Sequence, residues 1–201
     1  MNKQSNIRNV PNRILARTKQ GGFTLIELGI VVAIGFLLIG IGLYKAPSIM
    51  ANYRANAETT ELPQIVTNSQ KIAVNSPNYS SFTLDTFIRN DAFPANRVTV
   101  PASGSATATN RWNGTITFSV GTIATAGDIG RYVYTNVPDA ECKAVVNAVS
   151  QMFRRIYVDK GNSGTAGAGT VVKPDNAQLD TAALGTSCSG NANSITYDFA
   201  K

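Results

Sequence analysis

The sequence contains no histidine, and only two of its 201 residues are cysteine. Histidine is the commonest general base near neutral pH and the commonest zinc ligand, so its absence removes the usual acid–base and metal chemistry. Cys142 and Cys188 are too far apart in sequence to form a CxxC motif. Because no nucleophile–base pair and no phosphate-binding glycine loop is evident, we predict no enzymatic activity, no cofactor and no metal.

Positive charge is concentrated at the N-terminus. Residues 1–22 contain no acidic residue and five basic ones: Lys3, Arg8, Arg13, Arg17 and Lys19. The whole chain has 18 basic and 12 acidic residues, so removing these five leaves 13 basic against 12 acidic residues, a net charge of +1. A basic surface is the first sign of nucleic-acid binding, and the rest of the chain therefore gives no strong nucleic-acid signal.

A long apolar run follows this basic segment. Residues 23–44 contain one charge, Glu27, and no proline. About 20 apolar residues are enough to cross a bilayer, so we predict a membrane-spanning helix. The run is longer than the apolar region of about 7–15 residues in a cleavable secretory signal. An uncleaved anchor remains an alternative, but it leaves Glu27 unexplained, since a carboxylate in a membrane span is costly and usually functional.

The block Gly22-Phe23-Thr24-Leu25-Ile26-Glu27 resembles the processing site of type IV pilins and their relatives. In that family a prepilin peptidase cuts after the glycine and the new terminal residue is methylated. The resemblance implies cleavage between Gly22 and Phe23 and N-methylation of Phe23. It also implies that Glu27 acts in assembly by neutralising the terminal amine of a neighbouring subunit.

The resemblance implies an α+β fold in which a long N-terminal helix packs on a twisted antiparallel β-sheet. Its domains would be a leader at 1–22, the long helix at 23–76 and a globular head at 77–201. Residues 23–44 would form the membrane-spanning part of the helix and later the filament core. Within the head, the αβ-loop region would cover 77–115, and a disulfide would close a C-terminal D-region at 142–188.

Hydrophobic periodicity supports this architecture. Apolar residues recur at steps of three and four along one predicted helix face that includes Ile49, Tyr53, Ala57, Leu62 and Ile65. Apolar alternation or β-branched and aromatic enrichment predicts strands at 115–120, 131–135, 156–158, 171–172 and 194–199. A further helix is predicted to start near Pro138 and to end at Arg154 and Arg155, with Met152 on its apolar face.

Glycine and proline weaken the long helix in one stretch. Gly35, Gly40 and Gly42 each cost roughly 1 kcal/mol relative to alanine. Pro47, like Pro63, removes a backbone hydrogen bond, so we expect a kink or a break there. Filaments of related pilin families melt locally, which implies that this stretch unwinds in a filament. A compatible alternative is that the small residues only allow close helix packing.

The two cysteines bear on the pilin subtype. A chain exported past the inner membrane meets an oxidising compartment, so we expect a bond between Cys142 and Cys188, with two buried free thiols as the alternative. The segment beginning Ala140-Glu141-Cys142-Lys143 resembles the first-cysteine helix of type IVb pilins, particularly the toxin-coregulated pilin group. The 22-residue leader also suits type IVb, whereas Phe23 as the first mature residue is more usual in type IVa.

We therefore predict a structural subunit that polymerises through its N-terminal helix into a type IV, type IVb, pilus. It would lie in the inner membrane of a Gram-negative bacterium before assembly and in an extracellular pilus afterwards. Its implied partners are further copies of itself, the prepilin peptidase, an inner-membrane assembly platform with its ATPase, and the membrane, with a host or recipient-cell surface as a further candidate. The alternatives are a type II secretion pseudopilin, a minor pilin and an uncleaved membrane-anchored binding module.

Overall fold

A computed structural model describes residues 22–201 of the protein. Apart from Gly22, the predicted leader lies outside these described residues. The chain divides into two compact units between Tyr44 and Lys45. The first helix, α1 (Leu25–Ile72), includes residues of both units. It ends a few residues before the expected boundary at 76, and it is not broken at Pro47 or Pro63.

The second unit forms a seven-stranded antiparallel sheet, which confirms the predicted fold class. Its strands are β1 (Val98–Thr99), β2 (Thr107–Thr109), β3 (Thr115–Thr122), β4 (Ala126–Val137), β5 (Arg155–Asp159), β6 (Thr170–Lys173) and β7 (Asn193–Ala200). The shorter helices are α2 (Leu84–Arg89), α3 (Asp139–Val149) and α4 (Thr181–Ser187), with 3₁₀ turns at Ala95–Arg97 and Ser150–Met152. The strand order is β1-β2-β3-β4-β7-β5-β6, so the last strand lies between β4 and β5.

The core lies between α1 and an aromatic cluster on the sheet. The helix buries Leu62, Ile65 and Val66. An aromatic group that includes Tyr79, Phe87, Phe118, Tyr132 and Phe199 packs largely edge to face, with the rings of Tyr132 and Phe199 stacked 5.1 Å apart. Polar contacts also join the helix to the sheet: Ser69 Oγ and Tyr132 Oη form a hydrogen bond of 2.6 Å, and Gln70 Nε2 donates to the carbonyl of Ala200 at 2.6 Å.

The predicted apolar stripe is wrong at its start. Ile49 and Tyr53 are 64% and 66% exposed, and burial begins only at Ala55. The buried face then continues through Glu58, Leu62, Ile65 and Ser69 at helical steps of three and four. Residues at helical spacing thus lie on two different faces of α1. Only the face that begins at Ala55 packs against side chains of the head domain.

The C-terminal half differs from expectation at two points. Helix α3 ends at Val149, Met152 is exposed in the following 3₁₀ turn, and Arg155 already begins β5. Helix α4 and the short strands β1 and β2 carry no strong apolar period, which explains why the pattern did not predict them.

The disulfide joins Cys142 in α3 to Cys188 at the end of α4 and confirms the predicted bond. The two Cα atoms are 5.9 Å apart, both cysteines are fully buried, and neither is a free thiol. The bond closes a segment that contains β5, β6 and α4. Because these elements are short, the covalent link limits how far the edge of the head can open.

Replacing both Cys142 and Cys188 by serine should lower the free energy of unfolding by about 4 kcal/mol, because the unfolded chain gains the entropy of a loop with a sequence separation of 46. Urea unfolding of the full chain in detergent measures this difference. A reducing agent should shift the wild-type midpoint and leave the double variant unchanged. Equal midpoints for oxidised wild type and variant would contradict a stabilising role for the bond.

Candidate functional site

The first helix begins with a side-chain cap. The Thr24 hydroxyl accepts the backbone N–H of Glu27 at 3.3 Å, and the Thr24 carbonyl accepts Leu28 N–H at 3.1 Å. Thr24 and Glu27 have the spacing of a capping box, in which a threonine precedes the first turn and a glutamate follows three residues later. The cap starts the helix after Gly22 and Phe23, so these two residues lie outside regular secondary structure.

Glu27 lies in the first turn of α1 and is exposed. A carboxylate in this position is favoured because unpaired backbone N–H groups give the start of a helix a partial positive charge. Within residues 22–201, Glu27 makes no ion pair. The first turn of the helix thus fixes the position of the carboxylate. Among residues 22–201, no basic side chain pairs with it.

The apolar part of α1 is uncovered within its own unit. Its large side chains from Leu25 to Tyr44 are 47% to 90% exposed. The helix is long and apolar enough to cross a membrane by length and composition. Exposed apolar area of this extent usually marks a surface that another molecule or a membrane covers.

The glycines at 35, 40 and 42 of this helix pack against no other part of residues 22–201. A Cβ atom added at Gly35, Gly40 or Gly42 would meet nothing within 4 Å. All three lie in regular helix, as does Pro47. The melting expected for this stretch concerns a filament and stays a prediction. At these three positions glycine lowers the helix propensity, and the space beside the backbone is open.

A buried ionic network ties α1 to the sheet side of the head. Both terminal nitrogens of Arg97 donate to Glu58 Oε1 at 3.1 Å, and Arg97 Nη1 also donates to Glu61 Oε2 at 2.8 Å. Arg97 Nε donates to the carbonyl of Thr109, and Arg111 pairs with Glu61. Four charged side chains from three segments of sequence therefore meet beside the first buried turns of α1.

Burial raises the pKa of Glu58 above its ordinary value, although the charge and hydrogen bonds of Arg97 act in the opposite direction. Burial also disfavours the charge of Arg97, but Glu58, Tyr134 and the glutamate hydrogen bonds outweigh it, so the pKa of Arg97 is raised. No pattern in the sequence predicted this network. Its one signal was an acidic residue between Ala55 and Leu62 at helical spacing on the buried face.

The architecture of the head is found in a protein of known structure. The head resembles the crystal structure of a type IV b pilin from Salmonella typhi, with 22% identity over 73% of this chain and 99% of that chain and a TM-score of 0.56. An NMR structure of the type IVb pilin PilS from the same organism gives 23% identity and a TM-score of 0.44, covering 72% of this chain and 96% of that one. TcpA, a type IV pilin from the El Tor biotype of Vibrio cholerae, gives 15% identity and 0.42, covering 71% and 98%.

A long helix packed on an antiparallel sheet, with a disulfide closing its C-terminal part, is thus the fold of a type IV pilin. A family model described as PilS N terminal matches residues 52–199. Because this match covers most of the chain, the protein belongs to the PilS family. A comparison with curated proteins finds no match.

The raised pKa of Glu58 predicts a specific pH dependence. The folded state binds this proton more tightly than the unfolded chain, whose ordinary value is 4.5. The resulting stability is present below that value and is lost as pH rises through the folded pKa. We expect Glu58→Gln to remove this contribution, so the stability of wild type relative to the variant should fall as the pH rises above 4.5 and through the raised pKa of Glu58.

Urea unfolding at several pH values measures this difference. Asp91→Asn is the matched control, because Asp91 is an exposed carboxylate at positive φ, which asparagine also tolerates. A constant difference between wild type and Glu58→Gln across the pH range would contradict the assignment.

Proposed function

We propose that this PilS-family protein is the structural subunit of a type IVb pilus, which polymerises through its N-terminal helix. The observation that carries the proposal is an uncovered apolar helix, capped by Thr24 and carrying a carboxylate in its first turn, on a chain whose head has the pilin fold. The Salmonella typhi relatives are described as type IVb pilins. The role is structural, and the chain itself contributes no catalytic step.

The first step of the proposal is processing. A prepilin peptidase cleaves between Gly22 and Phe23, and Phe23 is then methylated at its new amine. Phe23 is 82% exposed and lies ahead of the helix, so the scissile bond is in a segment that an enzyme can reach without unwinding the helix. Removal of the leader at 1–22 takes away five basic residues and lowers the net charge of the chain from +6 to +1.

The second step is transfer of the helix from membrane to filament. Residues 23–44 lie in the inner membrane before assembly and pack against other helices in the pilus afterwards. Lipid is as apolar as the helix surface, so this exchange brings little hydrophobic gain. Specific contacts and work from an assembly platform with its ATPase must therefore favour the filament. The filament extends from the cell surface as an extracellular fimbrium.

The third step is neutralisation of charge in the filament core. The methylated amine of Phe23 and the carboxylate of Glu27 are each costly alone in an apolar medium, and pairing them between neighbouring subunits offsets part of both costs. The pair also sets the axial offset of the subunits. Gly35, Gly40, Gly42 and Pro47 provide a stretch of helix that can extend or pack closely when the helices bundle.

Changing Glu27 to alanine should leave cleavage intact and abolish or strongly reduce surface pili, because the amine of the neighbouring subunit would lose its counter-charge. Immunoblots of membranes report processing, and the sheared surface fraction reports assembly. Glu27→Asp keeps the charge on a shorter side chain and should retain part of the assembly. Normal piliation in Glu27→Ala would refute this role.

Changing Gly22 to leucine should leave the longer, uncleaved protein in the membrane, because a side chain at the cleavage site blocks the peptidase. Gly29→Ala is the control, since a Cβ atom there also meets nothing within 4 Å. The size of the protein on immunoblots distinguishes the two forms. Normal maturation of Gly22→Leu would count against the peptidase assignment.

One mass-spectrometric measurement separates the alternatives. A methylated Phe23 terminus in abundant, sheared surface material supports the pilus subunit, and the same terminus at low abundance indicates a minor pilin. Processed protein absent from that material indicates a pseudopilin. An intact Met1 found only in membranes would mean an uncleaved anchored binding module.

A further inference from the structure

A turn in the head contains a chemically labile pair of residues. Asn113-Gly114 is the one Asn-Gly pair in the sequence. In such a pair the glycine backbone nitrogen can attack the asparagine Cγ, forming a succinimide and expelling ammonia. Water then opens the ring to aspartate or isoaspartate. The reaction consumes only water and needs no enzyme, so its rate depends on the geometry of the turn.

The fold requires both residues of this pair. Asn113 has a φ of 58°, a left-handed conformation that asparagine tolerates better than most residues. A Cβ atom at position 114 would lie 1.9 Å from the carbonyl oxygen of Thr135, so only glycine fits there. The turn before β3 therefore cannot easily avoid the labile sequence.

The side chain of Asn110 holds the reacting nitrogen. Its Oδ1 accepts the N–H of Gly114 at 2.8 Å and that of Trp112 at 3.0 Å. Its Nδ2 donates to the carbonyl of Thr135 at 2.6 Å, and its own N–H donates to the carbonyl of Gly114 at 2.9 Å. Asn110 is buried, so water does not compete readily for these bonds.

We propose that Asn113 is a site of spontaneous deamidation whose rate is controlled by the Asn110 clamp, the four hydrogen bonds just described. In the closed turn the Gly114 nitrogen is engaged with Asn110 and cannot approach Asn113 Cγ. Reaction proceeds only when the turn opens, and Asn110 is a positioning residue that makes opening rare. The proposal does not depend on the proposed function.

The product would change the surface at a defined place. Asn113 is exposed, and its neighbour Arg111 pairs with Glu61 of the buried network. An aspartate adds a negative charge beside that arginine. An isoaspartate adds a backbone atom between two ends of a turn that is held together by Asn110. A subunit that persists outside the cell would accumulate such changes unless the clamp slows them.

The experiment follows deamidation by peptide mass spectrometry in the full oxidised chain, kept in detergent at neutral pH. We expect Asn113 to react at least about tenfold more slowly than in a synthetic peptide of residues 108–118, because the turn must break several hydrogen bonds before the Gly114 nitrogen is free to react. Asn110→Ala should raise the rate at Asn113 severalfold. Asn176, which is also exposed at positive φ but precedes alanine, is the internal reference and should not change.

Asn110→Asp is the matched control variant, since it keeps an acceptor for the N–H groups of Gly114 and Trp112 and replaces the Nδ2 donor to Thr135 by a carboxylate oxygen. Its rate should stay closer to wild type than that of Asn110→Ala. Urea-dependent unfolding of each variant separates local opening from global loss of stability. Equal rates at Asn113 in wild type and in the peptide, or in wild type and Asn110→Ala, would overturn the proposal.

A second measurement needs no variant. In wild type, the rate at Asn113 should rise with sub-denaturing urea toward the peptide rate, because urea favours opening of the turn. If the rate at Asn113 in the folded protein already equals the peptide rate in the absence of urea, the clamp proposal is wrong.

Discussion

Burial of one face of α1 is the constraint on which the head depends. From Ala55 to Ser69 this face lies against the aromatic cluster and orders the sheet through Leu62, Ile65 and Val66. Each fully buried aliphatic side chain of this kind contributes roughly 1.5–3 kcal/mol. Without this helix face the inner side of the sheet would expose its tyrosine and phenylalanine rings.

Polar contacts then fix segments that the apolar core does not hold. Arg97 and Arg111 attach the irregular chain around β1 and β2 to Glu58 and Glu61 on α1. At the opposite end of the sheet the disulfide attaches α4 to α3. A buried ion pair contributes less to net stability than to geometry, because desolvation offsets much of its attraction. The network therefore serves mainly to position the loop-rich edge of the head.

The N-terminal site around Gly22 and Glu27 could be predicted from the sequence, because its signals are local. An apolar run with one acidic residue, a threonine three positions before that acid, and a preceding glycine are neighbours along the chain. Strands β3 to β7 were predicted for the same reason, since apolar alternation or enrichment in β-branched and aromatic residues over a few positions is a local signal. The Glu58 network was not predicted, because each arginine is 36 or more residues from the glutamate that it pairs with, and no local pattern records that they meet.

The sequence by itself determined that this chain has an apolar helix with a processing-type block, a strand-rich head and two cysteines that are expected to pair in an oxidising compartment. It did so because composition and short periodicities fix solvation and local hydrogen bonding. Only the tertiary structure decided which face of α1 is buried, where burial begins after Tyr53, and that β7 lies between β4 and β5. These features depend on which distant side chains fill the space beside the helix, and that is a property of packing rather than of any local pattern.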